Sequence, residues 1–387
     1  MKKQLQIFLD FLRFCIGSAK EIPDSLKEVD WKELYTIAQK QCLVGVLFDG
    51  IKRLPADVGM DKGLLFQWMA QNQTLRKANA RLDKAAVEVA EWFGRKGFRT
   101  CVLKGQGNAL LYPPGMERTP GDIDLWVDGG DRKVVSFVRS LSPDEKVCYH
   151  HIGFPEYNGV EVEVHFRPSF LFCFRHNRCL QEYYERVMDE QFAHKVKLGG
   201  QGEVTVPKAE FNLIFQLTHI FTHLMNEGIG LRQLLDYFFV LKNTDLGGNT
   251  DGDGFLLNTD FTDNTDRIVG NADWVDRRLL QDELRRLGLW EFAGAVMYIM
   301  KEVFGLEDNR LIVPPDVKRG RLVLKEVLEA GNFGQYDKRN WFGHSALGHN
   351  LQRLYRDMRL VRYFSEEALS EPFFRIWHFF WRKRIVR

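Results

Sequence analysis

The chain has 387 residues, 45% of them hydrophobic, and Lys+Arg at 54 against Asp+Glu at 52 leave a formal net charge of +2. That length can bury a large core and suggests two or three domains. The near balance of charge argues against a general nucleic-acid binder, which carries a clear basic excess, while leaving room for a local basic groove.

The six cysteines, Cys15, Cys42, Cys101, Cys148, Cys173 and Cys179, are scattered without a CxxC pair. This suits the reduced thiols of a cytoplasm better than a disulfide framework or a zinc site. The first twenty residues break their apolar run with Asp10 and Arg13, as an amphipathic helix does and a signal peptide does not. No uncharged apolar stretch is long enough for a spanning helix. The expectation is a soluble, cytoplasmic protein.

Residues 1–95 read as an N-terminal helical region. Leu5, Phe8, Leu9, Leu12 and Ile16 repeat at helical spacing, as do Trp31, Leu34, Ile37 and Ala38. A long helix is expected from Lys62 to Lys96, half exposed to solvent. The pattern changes at Gly97, where a core over 96–208 begins. Phe98 to Leu103 reads as a strand ending at Lys104-Gly105, and a short helix is expected from Gly107 to Leu111. Asp122 to Val127 is a second strand and Asp131 to Leu141 a helix. Two more strands are expected at Lys146–Ile152 and Val160–Phe166, joined through Pro155 to Gly159. In the last strand Val160, Val162 and Val164 take one face, and Glu161, Glu163 and His165 the other.

Helical periodicity returns in a C-terminal domain, 209–387, first over Phe211–Met225 and Leu231–Leu241. A polar insertion at about 243–273 interrupts it. Helices resume at Trp274–Leu287 and Trp290–Val303 and recur to the C-terminus. The fold class is therefore α+β, a mixed sheet with helices flanked by helical regions on both sides.

Asp122 and Asp124 sit two apart on a strand, so both carboxylates project from one face. Such a pair repels itself unless a cation lies between, and hard Mg²⁺ prefers oxygen ligands. Upstream, Lys104-Gly105 closes a strand and opens a helix, a place where backbone N–H groups can approach phosphate. Downstream, Glu161 and Glu163 offer a third carboxylate, the complement that two-metal phosphoryl chemistry uses. Strand, glycine turn, helix, Asp-x-Asp strand and acidic strand together make a stronger signal than any one of them.

In Leu103-Lys104-Gly105, Leu111-Tyr112, Arg118-Thr119-Pro120-Gly121-Asp122-Ile123-Asp124-Leu125 and Glu163-Val164-His165-Phe166, the chain resembles the DNA polymerase β-like nucleotidyltransferase superfamily. More narrowly, it resembles a poorly characterised bacterial family in which Lys-Gly replaces the usual Gly-Ser. His219, His223, Leu231-Arg232 and Asp236 match that family's downstream helices. The resemblance spans roughly 100–240. It implies that Asp122, Asp124 and Glu163 are catalytic and hold Mg²⁺. Gly105 would abut the phosphates of an NTP such as ATP, and Lys104 and Arg118 would neutralise them. Gln106 stands where the family's usual serine would offer a hydroxyl, and Lys104 would compensate as a point charge.

Each feature also has a plainer reading. Lys104 and Arg118 could simply pair with the nearby acids, and Glu161 shares its face with Glu163. His219 and His223 have metal-ligand spacing but lack the glutamate of HExxH, which favours core or supporting histidines. Arg232 and Asp236 read most simply as an i, i+4 ion pair. Asn249, Asp251, Asp253 and Asp260 imitate a Ca²⁺ loop imperfectly, and a polar insertion is the better reading. The C-terminal run Phe373 to Arg384 mixes aromatics with bases; packing on the body is the common use of such a helix, and membrane-surface docking the rarer one. The expected function is transfer of a nucleoside monophosphate from an NTP to a small-molecule or protein acceptor. The alternatives are a nucleotide-binding scaffold that keeps the fold and, more remotely, a phosphohydrolase.

Overall fold

The computed structural model describes residues 3–55, 59–247, 274–339 and 346–386. Three helices open the chain: α1 (Lys3–Cys15), α2 (Trp31–Lys40) and α3 (Val44–Ile51). Asp30 caps α2 by accepting from the backbone N–H groups of Lys32 and Glu33. The long helix α4 (Lys62–Arg95) is capped by Asp61 and runs 34 residues, about 50 Å.

The sheet follows, from β1 (Thr100–Val102), the single-turn α5 (Gln106–Ala109), β2 (Ile123–Val127), α6 (Gly130–Leu141), β3 (His151–Tyr157) and β4 (Val160–His165). Its order is β1-β2-β4-β3, with β2 and β4 parallel and the other pairs antiparallel. The parallel register sets Asp124 opposite Glu163 and Trp126 opposite His165.

Two boundaries differ from the sequence reading. β3 starts at His151 rather than Lys146 and runs through Pro155, which sits at a bulge between Phe154 and Tyr157. An edge strand tolerates the missing N–H of proline at such a bulge. The turn itself is only Asn158-Gly159, both at positive φ, the backbone that a two-residue hairpin requires. At α5 the helix spans four residues, so the dipole expected at its N-terminus is too small to matter.

Beyond the sheet come α7 (Phe174–Gln191), the hairpin of β5 (Lys195–Leu198) and β6 (Gly202–Thr205), α8 (Ala209–Asn226) and α9 (Leu231–Asn243). The parallel pair β7 (Asp245–Gly247) and β8 (Trp274–Asp276) brackets the polar segment, and the Ca²⁺-loop imitation at Asn249–Asp260 lies outside the described residues. The chain ends with α10 (Arg277–Arg286), α11 (Trp290–Glu302), α12 (Val317–Ala330), α13 (Ala346–Leu360) and α14 (Ser365–Ile385).

Two hydrophobic cores lie on opposite faces of the sheet. On one, Ile123, Leu125, Val127, Val160, Val162 and Val164 pack against α6 and the second half of α4, through Leu82, Val89 and Phe93. On the other, Trp126 joins a larger core that runs from Phe8 and Phe11 through Trp68 to α8, α9, α11 and Phe374. The alternation of β2 thus sends Ile123, Leu125 and Val127 one way and Asp124 and Trp126 the other, toward α8. All six cysteines are free. Among the described residues no helix is long and apolar enough to cross a membrane.

Candidate active site

The site forms where the ends of β1, β2 and β4 meet α8. The backbone N–H of Leu103 donates to the carbonyl of Asp124, extending the β1–β2 ladder by one residue and setting Lys104 beside Asp124. Gly105 then turns the chain at φ 61° and ψ −104°, a region open to glycine and closed to a residue with a Cβ. Gln106, at the place of the usual serine, is buried and donates to Asp83 on α4.

A loop bound on three sides delivers the acidic pair. The Arg118 carbonyl accepts from Asn79 on α4, Thr119 Oγ1 donates to the Cys42 carbonyl at 2.7 Å, and Arg232 Nη1 donates to the Thr119 carbonyl at 3.1 Å. The Arg118 guanidinium is bound to Asp236. Its Nε and Nη2 each donate to Asp236 at 2.8 Å, and Tyr112 donates to the same carboxylate at 2.7 Å. The i, i+4 pair expected between Arg232 and Asp236 gives way to this arrangement: Arg118 takes both carboxylate oxygens as a bidentate fork, and Arg232 turns to the Thr119 carbonyl.

At the centre, Lys104 Nζ lies 3.1 Å from Asp124 Oδ2 and 3.1 Å from His219 Nε2. The contact with Asp124 is an ion pair that leaves Oδ2 without an aligned hydrogen bond. His165 Nε2 is 3.0 Å from Asp124 Oδ1 and 3.4 Å from Glu163 Oε2. Its Nδ1 faces the carbonyls of Arg167 and Pro168 at 3.3 and 3.2 Å, so both ring nitrogens donate. His151 Nδ1 lies 3.2 Å from the same oxygen of Glu163.

Protonation follows from this geometry. Burial opposes a charge on His165, but the hydrogen bonds to Asp124 and Glu163 overcome it and raise its pKa to about 9. Burial would raise Asp124, yet Lys104 and His165 hold its carboxyl well below the usual range. Glu163 is likewise lowered, against burial, by the His165 hydrogen bond and by His151. Asp122 goes the other way, raised by burial and by the like charge of Asp124. Lys104 stays charged despite burial because Asp124, Asp122 and Glu163 surround it. Burial keeps His219 neutral, which frees its Nε2 to accept from the Lys104 ammonium.

A cavity of about 1330 Å³ opens on this cluster. It is lined by Lys104, Asp122 and Glu163, by His150, His151, His219 and His223, and by Arg353, Arg375 and Arg382 of α13 and α14. Asp124 lies behind, on a recess of about 20 Å³ shared with Gly105 and Arg232. The structure therefore brings Asp122, Asp124, Glu163, Lys104 and Gly105 together, with Arg118 on the recess behind them and its guanidinium bound to Asp236. Glu161 is exposed, away from the histidines that hold Glu163. Two contributors had no assigned role in the sequence. His165 had a usable signal, since strand alternation sets it on the face of Glu163. The arginines of α13 and α14 had none, being some two hundred residues away.

No curated protein matches the chain. Among solved structures, an antigenic nucleotidyltransferase-like protein from Paracoccidioides brasiliensis is similar at 16% identity, covering 42% of this chain and 76% of that one, with a TM-score of 0.28. That likeness is too loose to carry an argument. The sequence model of a family described as an uncharacterised nucleotidyltransferase matches residues 27–256, more than half of the chain and all of the carboxylate cluster. The chain belongs to that uncharacterised nucleotidyltransferase family.

Proposed function

We propose that the chain transfers a nucleoside monophosphate from an NTP to an acceptor hydroxyl, with Mg²⁺ held by Asp122, Asp124 and Glu163. The observation that carries this reading is the convergence of Asp122 and Glu163 on a large cavity with Asp124 directly behind them. Two features support a cation among them. Asp124 Oδ2 is buried without an aligned donor, and Asp122, with no ion pair among the described residues, faces the like charges of Asp124 and Glu163. Oxygen donors of this kind suit a hard divalent ion. When bound, such an ion would neutralise phosphate charge and favour the acceptor's alkoxide.

The chain's own residues do the rest. The acceptor oxygen forms a bond to the α-phosphorus, the bond from that phosphorus to the β-bridging oxygen breaks, and pyrophosphate leaves. Glu163, ionised and facing the cavity, is placed to take the acceptor's proton. Lys104, turned by His219, offers its charge to the phosphates. His165 keeps Asp124 and Glu163 ionised and fixes their direction. The cavity exceeds the roughly 300–1,000 Å³ of a single-ligand site, which leaves room for donor and acceptor together.

One observation favours a second reading, a nucleotide-binding scaffold without turnover. Lys104 and His165 already neutralise much of the carboxylate charge, so the cluster is stable with no added cation. Calorimetry with ATP, GTP, CTP and UTP, each with and without Mg²⁺, separates the cases when paired with pyrophosphate release in a cell extract. For the enzyme, one NTP binds only with Mg²⁺, pyrophosphate appears, and Asp124→Asn weakens both by more than about 100-fold while the fold persists. Binding without release favours the scaffold. Full activity in Asp124→Asn overturns the metal assignment.

A further inference from the structure

The helices that close the cavity have an outer face that the proposed reaction does not use. On α14, Leu369, Phe373, Ile376 and Phe380 recur at helical spacing and are 61, 68, 60 and 59% exposed. The opposite side of the helix packs inward through Ala368 and Phe374, so only half of the aromatic run serves the core. On α13, Leu351, Leu354 and Met358 form a second exposed apolar stripe. Leu354, Ile376, Phe379 and Phe380 also line the cavity, so the two stripes meet at its mouth.

The C-terminal half of this face is basic. Lys383 and Arg384 are exposed beside the stripe, Arg375 and Arg382 line the cavity with Arg375 paired to Glu371, and the exposed acid of α14, Glu366, lies at the other end of the helix against Arg175. The one acid of α13, Asp357, is buried, and Arg362 just beyond that helix is exposed. Lys383 Nζ sits 4.3 Å from the centroid of Phe379, so base and aromatic adjoin. A second copy of the chain fits this face poorly, because its exposed bases Lys383 and Arg384 find no free acid there, Glu366 being already paired with Arg175. An anionic polymer would answer the bases and leave the aliphatic and aromatic stripe wet.

We propose that the outer face of α13 and α14 docks on an anionic lipid surface, the apolar stripes entering the headgroup boundary and the bases meeting lipid charge. The mouth of the cavity then lies at that surface. The proposal stands apart from the reaction, since docking requires no nucleotide.

Sedimentation of the full chain with vesicles tests it, using phosphatidylcholine alone and phosphatidylcholine mixed with phosphatidylglycerol. The expected result is binding to the mixed vesicles that weakens as salt rises. Phe373→Asp with Phe380→Asp abolishes it. Lys383→Glu with Arg384→Glu weakens it at least about 25-fold, from roughly fivefold per base. All four side chains are exposed, so both variants keep the wild-type melting temperature. Absence of binding to the mixed vesicles overturns the proposal, as does equal binding to both compositions. A concentration-dependent dimer that both variants dissociate, without vesicle binding, assigns the face to a second copy and also overturns it.

Discussion

Arg118 and Asp236 form an enclosed ion pair, each about 5% exposed, joined by two parallel hydrogen bonds and completed by Tyr112. Enclosed pairs are asymmetric: making one gains little, whereas removing one partner strands the other charge. Burial alone would raise Asp236, and Arg118 is what holds its carboxyl below the usual range. Arg118→Ala is therefore expected to cost roughly 3–5 kcal/mol in urea unfolding. Arg118→Lys, which keeps the charge and loses the fork, should fall between that variant and wild type and bind nucleotide as wild type does. Unchanged stability with lost nucleotide binding would return Arg118 to the phosphates. The residue acts on the site at one remove, by fixing the loop that carries Asp122.

Between α13 and α14 two carboxyl groups share a buried space. Glu371 is held by Arg375 Nη2 at 3.1 Å and Arg353 Nη1 at 3.8 Å. Asp357 lies beside it and is pushed up to about 8, first by burial and then by the charge and hydrogen bond of Glu371, with Arg375 and Arg353 opposing. An unfolded aspartate titrates near 3.9. The folded state thus binds the proton more tightly. Its contribution to stability is complete below about pH 4 and is lost as pH rises through about 8. Relative to Asp357→Asn, wild type should therefore lose unfolding free energy between those limits, while the buried neutral His150, His151, His219 and His378 add a rise up to about pH 6.5 common to both chains. Amide exchange in α13 and α14 should quicken with pH in wild type only, and an unchanged difference between the two chains would place the proton elsewhere. The same helices show where sequence reading stops. α4, α8 and α9 were legible because their apolar residues repeat along the chain, and β4 because its faces alternate cleanly. That alternation put Asp122 and Asp124 on one face of their strand and Glu163 on a face of its own, while the register that sets Asp124 opposite Glu163 came only with the fold. The arginines that α13 and α14 add to the cavity leave no local period, since their contacts are made across the fold. Pro155 misled for the opposite reason: a local turn signal was absorbed by a bulge at a sheet edge.

Across the whole molecule, α4 belongs to both cores. Leu64 and Trp68 in its first half join the large core, while Leu82, Val89 and Phe93 in its second half back the sheet. Periodicity shows that such a helix exists but not that it spans two cores. The same blindness applies to α1, which precedes the family match at residue 27 and could be taken for an appendage. Ile7, Phe8, Leu9, Phe11, Leu12, Phe14 and Ile16 are all buried, and Phe11 meets Trp31 edge to face at 6.0 Å. Polar ties cross the chain at the same place: Arg13 Nε donates to the Val303 carbonyl, Arg53 Nη2 to Phe14 and Cys15, and Lys242 to Ile16. Burying those seven side chains contributes on the order of 10–20 kcal/mol, against a typical net stability of about 5–15 kcal/mol. Deleting residues 1–29 is therefore expected to abolish cooperative folding even though the family match and the whole carboxylate cluster remain essentially intact. Circular dichroism of the shortened chain should show no sharp melt, with the protein partitioning to the insoluble fraction. A cooperative melt within a few degrees of the full chain would instead make α1 a satellite of the core, and the surface it covers would then belong to some other partner.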